Sequence, residues 1–120
     1  MHLNKNIMTD RVLTWKMAIE NGYNPSLYAF DGNDIPLGEY EAILEFKIWA
    51  KNTMGISCYF VQKNTGKKFR LTVFRQPATK AYTLDSGGMS FVESPVNCEY
   101  LLKVSRNDKG RIVFEKAVTV

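Results

Sequence analysis

The sequence predicts a mainly β fold of the α+β class: one N-terminal helix, then a strongly bent antiparallel sheet of five to seven strands. Three observations carry this. Residues 9–21 hold the one clear helical spacing of apolar side chains. From Tyr40 onward the pattern changes to period two. Two loops with hairpin composition, around Asn64-Thr65-Gly66 and Asp108-Lys109-Gly110, each separate two such runs. With 120 residues, the expectation is a single domain, 1–120, with the sheet in residues 40–120. A chain of this size buries roughly two-thirds of its extended surface without metals or disulfide staples.

Residues 1–8 read as a lead-in. Thr9 or Asp10 is placed to cap a helix, because a short side-chain oxygen satisfies exposed backbone donors there. Met8, Val12, Trp15 and Ile19 then form an apolar stripe, expected to cover the sheet. Asn21-Gly22 supplies a left-handed stop. Residues 22–38, punctuated by glycine and proline, predict a long loop with a short helical turn around Pro25 to Tyr28. In the strand that follows, Ala42, Leu44, Phe46 and Ile48 share one face; Glu41, Ile43, Glu45, Lys47 and Trp49 share the other.

The next hairpin is the most informative stretch. A three-residue loop with Gly66 in the left-handed position sets Val61 opposite Phe69, Tyr59 opposite Leu71 and Ser57 opposite Val73. The other face then carries Phe60 beside Lys68, Arg70 and Phe74. Residues 76–96 are irregular, with short strands at Tyr82–Leu84 and Met89–Val92. The closing hairpin places Lys103 opposite Glu115, a favourable cross-strand pair. It leaves Lys116 as a lone charge on the apolar face, opposite Leu102, its stem reaching out to water.

This order suits two small barrels. A three-strand meander, a connection and a two-strand hairpin resemble the oligonucleotide-binding (OB-like) barrel. That fold commonly carries a helix in the connection, and residues 76–96 show no helical period. The other is an SH3-like bent sheet with the N-terminal helix plugging one end.

The net charge of +4 is uneven, −2 over residues 1–60 and +6 over 61–120. Lys63, Lys67, Lys68, Arg70, Arg75 and Lys80 form a basic run with no acidic residue among them. Such a field attracts nucleic acid, anionic lipid or an acidic protein; exposed lysines also discourage strand-on-strand aggregation. With Phe60 and Phe74 interleaved, these residues point to single-stranded DNA or RNA, since bases stack on aromatic rings and cations take phosphates. The expected function is therefore a non-catalytic binding domain. The alternatives are a small accessory or inhibitor protein acting on an acidic partner, of the kind phage or mobile elements supply or a homodimer, and a barrel holding one small ligand.

Enzyme chemistry finds poor material. The single histidine, His2, lies in the lead-in, and neither a GxxxxGK[ST] nor a GxGxxG loop is present. Asp31-Gly32-Asn33-Asp34 reads as a tight turn rather than a calcium loop. Glu41 and Glu45, roughly 13 Å apart on a strand, are too distant for a glycosidase pair and read as a solvated face with Lys47. Cys58 and Cys98 lack zinc spacing, so no metal or cofactor is expected. They read as reduced thiols, in line with a cytoplasmic protein and no membrane span.

Overall fold

The twelve-residue strand β2 (Gly38–Trp49) organises the molecule. The structure, a computed structural model, describes residues 10–30, 34–52 and 54–120. Along one edge β2 pairs antiparallel with β3 (Gly55–Gln62). Its other edge is shared. β5 (Cys98–Arg106) takes Gly38 to Leu44, and β1 (Val12–Leu13) runs parallel to Lys47 and Ile48. β4 (Lys68–Phe74) and β6 (Ile112–Thr119) lie outermost, giving the order β4-β3-β2-β5-β6. The sheet is mainly antiparallel and bent enough to bring β4 near β6, but no ladder joins them. The fold is thus mainly β without a closed barrel.

The helix is shorter than expected. β5 leaves the last part of β2 unpaired, and Val12–Leu13 fills that vacancy as a strand. Helix α1 (Trp15–Glu20) therefore begins only at Thr14, whose Oγ1 accepts the Met17 N–H at 3.1 Å. It ends at Asn21 and Gly22, as the residues there require. Asp10 does not cap α1; its carboxylate accepts the Val96 N–H at 3.1 Å. Trp15 and Ile19 face solvent, and α1 buries Ala18 instead of the expected stripe. Met8, Thr9 and His2 lie outside the described residues, as do Asp31, Gly32 and Asn33.

A bulge between Leu44 and Phe46 decides what β2 buries. One inserted residue reverses the side on which each later residue points. Ala42 and Leu44 join the larger core with Ile56, Cys58, Phe60, Phe69, Leu71 and Val73. Phe46 and Ile48, expected on that same face, go to the other. There they build a smaller core with Leu13, Ala18, Tyr28 and Tyr59. Phe46 stacks on Tyr59 at 4.4 Å between centroids, and Tyr28 meets both rings edge-on. The Tyr28 hydroxyl donates to Glu45. The same reversal carries Lys47 off the expected solvated face into full burial.

The β3–β4 register also differs. Gln62 donates to the Lys67 carbonyl, and Gly66, at φ 72°, donates to Gln62. The loop therefore spans 63–66, one residue longer than predicted, and the pairing slips by one. Phe60 now faces Phe69, Cys58 faces Leu71 and Ile56 faces Val73. A one-residue slip exchanges the two faces. In the last hairpin Val104 pairs Phe114, and then a bulge at Glu115 shifts the ladder. Lys103 falls opposite Lys116 rather than Glu115, and Ala117 takes the inward place opposite Leu102. Lys116 points outward to Glu39, at 3.9 Å.

The loop before β2 contains the expected turn, a 3-10 helix at Pro25–Leu27. The crossover 75–97 forms one isolated bridge, Leu84 to Gly87, in place of the two expected short strands. Leu84, Phe91 and Val96 plug the larger core from it. Lys47 ties it down, its Nζ donating to the carbonyls of Phe91, Val92 and Ser94 at 3.1, 3.2 and 2.6 Å.

Candidate functional site

The corrected register gives β4 two unlike faces. Phe69, Leu71 and Val73 point into the core; Lys68, Arg70, Thr72 and Phe74 point out. Ala29 runs along the outer edge of β4, donating to the Lys68 carbonyl at 3.0 Å and accepting from the Arg70 N–H at 2.7 Å. This bracket seats an aromatic ring under each neighbouring cation. Lys68 Nζ lies 5.2 Å from the Tyr28 centroid, and the Arg70 guanidinium 4.8 Å from that of Phe30. Each contact holds an otherwise mobile cation in place, at roughly 0.5–1 kcal/mol in an exposed setting.

Three clefts follow β4 end to end. The first, about 370 Å³, is lined by Leu27, Tyr28, Phe30, Lys67 and Lys68, with Asp34 at its wall. Phe30 also lines the second, about 330 Å³, which lies in the gap between β4 and β6 with Arg70, Thr72, Phe74 and Arg111. Thr72, Phe74, Ile112 and Phe114 are shared with the third, about 250 Å³. Lys67 and Lys68 line the first cleft, Arg70 and Arg111 the second, and no Lys or Arg lines the third. Phe30 and Phe74 are 69% and 65% exposed, well beyond what a packed phenylalanine shows.

Of the residues singled out in the sequence, Lys67, Lys68, Arg70 and Phe74 come together on this groove. Phe60 does not. It is fully buried, stacked on Phe69 at 5.7 Å, because the longer loop turned its face inward. Lys63 is turned to the other side of the hairpin and held by Glu99 at 3.0 Å and Glu41 at 3.5 Å. Arg75 is half-buried beyond the end of β4, and Lys80 sits in the loop after it at φ 61°; neither lines the clefts. The sequence reading passed over Phe30 and Arg111. Phe30 lies in a loop, and Arg111 follows the glycine of the last hairpin turn, so no period marks either. The Ala29 bridge brings Phe30 to β4, and the bend of the sheet brings Arg111.

Among the described residues no group of three His, Cys, Asp or Glu side chains is placed to hold a metal ion. No helix there is long and apolar enough to cross a membrane. No protein-family model matches the chain, and no curated protein or solved structure was found similar to it.

Proposed function

We propose that this protein is a non-catalytic binding domain for single-stranded nucleic acid, and that its site is the groove along β4. The observation that carries the reading is a row of cations with two exposed rings among them, Lys67, Lys68, Phe30, Arg70, Phe74 and Arg111, in which Arg70 is held over Phe30. A single strand repeats the same two chemistries, an anionic phosphate and an apolar face. Stacking of a base on a ring contributes about 1–3 kcal/mol. Each cation that displaces a counterion adds roughly 0.7 to the salt slope for a single strand. Strand order supports the oligonucleotide-binding arrangement over the SH3-like one, since a meander is followed by a hairpin whose first strand returns to β2.

Fluorescence anisotropy with labelled single-stranded and duplex oligonucleotides tests this. Single strands bind more tightly than duplex, and affinity falls as salt rises. Phe74→Ala weakens single-strand binding about tenfold, and the Lys68→Glu, Arg70→Glu double variant flattens the salt slope. Unchanged affinity in the double variant ends the proposal.

A further inference from the structure

The third cleft differs in charge from the rest of the groove. Phe74 forms one wall, and Gln76 and Asp85 form the polar rim. Gln76 Nε2 donates to the Thr83 carbonyl at 2.8 Å and to Asp85 Oδ1 at 3.1 Å. Both amide protons are thereby engaged, and Oε1 of Gln76 remains as an acceptor. An ionised carboxylate is acceptor-only, so Asp85 Oδ2 adds a second. The rim therefore offers acceptors and negative charge beside an exposed ring. A phosphate is repelled from such a place. A neutral planar group with donors on its edge is not.

Resting on the nucleic-acid reading of the groove, we infer that the Phe74–Asp85 cleft is a base-selecting subsite, and that it prefers guanine. Guanine carries N1–H and N2–H₂ side by side, a pair of donors that the Asp85 carboxylate accepts together, through Oδ2 and through the lone pair that Oδ1 keeps beside its bond from Gln76. Thymine and uracil offer one N–H flanked by two carbonyl oxygens, which the carboxylate repels. The phosphates then follow Lys67, Lys68, Arg70 and Arg111, and one base turns past Phe74 toward Asp85.

The test is anisotropy with two labelled strands, a thymidine nonamer and the same strand with one central guanine. The guanine strand binds about tenfold more tightly, the discrimination that one good bidentate pair supplies. Asp85→Asn keeps the shape and an oxygen for Gln76, erases the preference, and leaves the thymidine strand bound at least as well. Equal binding of the two strands by the unmodified protein, or a preference that survives Asp85→Asn, overturns the subsite while the groove stands. Failure of both strands to bind at low salt overturns the groove itself, and the subsite with it.

Discussion

Replacing Lys47 by methionine removes the bolt between β2 and the crossover while keeping a stem of similar length. Lys47 is 0% exposed, and no carboxylate pairs with it among the described residues. Its ammonium is satisfied by three carbonyls and by Ser94 Oγ at 3.3 Å. In the variant, the Phe91 carbonyl keeps a donor in Ser94 Oγ at 3.1 Å. The carbonyls of Val92 and Ser94 lose theirs. Two stripped carbonyls cost about 2 kcal/mol each. Relief from burying an ammonium offsets part of that. The expected loss is about 3 kcal/mol at pH 7, a large share of a stability of roughly 5–15 kcal/mol. In melting temperature it amounts to roughly 10 °C.

The pH dependence gives a second handle on the same residue. Burial holds the Lys47 amine below its ordinary value, against smaller opposing effects of Cys58 and Asp10. Between the lowered folded value and the unfolded one, the unfolded chain binds more protons. Stability contributed by this group therefore rises with pH across that window, up to about 10.4. Urea denaturation of both proteins from pH 7 to 10 measures it, with other alkaline groups common to both. The gap between them widens as pH rises. A gap below 1 kcal/mol at pH 7, or one that narrows on going alkaline, refutes the reasoning.

Two further predictions concern the larger core. Phe60→Ala removes a fully buried ring and costs about 3–5 kcal/mol; a variant of near-native stability in urea contradicts the observed register. The Cys58 thiol is pushed up to about 12 by burial, so it stays protonated and unreactive near pH 8. A thiol-specific chromogenic reagent then titrates one cysteine, the half-buried Cys98, in the native protein and two after denaturation. Rapid labelling of both in the native state argues against a closed core.

Local patterning determined a great deal. Period two marked the strand from Tyr40, found as Gly38–Trp49, and the two hairpins, found as Gly55–Gln62 with Lys68–Phe74 and Cys98–Arg106 with Ile112–Thr119, because alternation is a property of each strand alone. Gly66 and Gly110 marked the turns, because a positive φ is a demand made within a few residues. Which face each strand buried was decided only by tertiary structure. One extra loop residue exchanged Phe60 for Tyr59, and the Leu44/Phe46 bulge sent Lys47 inward and Phe46 outward to a second core. With a side-chain period of two, an uncertainty of one residue is a reversal, and only packing on both faces resolves it. The helix followed the same logic. Val12 fits a helical stripe, yet the end of β2 that β5 leaves unpaired offers Val12 and Leu13 backbone partners, and no local pattern signals that edge. The groove is also tertiary. Lys68, Arg70 and Phe74 were legible on one strand, while Phe30, Asp85 and Arg111 reach it through the fold, from segments up to 81 positions apart in the chain (Phe30 to Arg111).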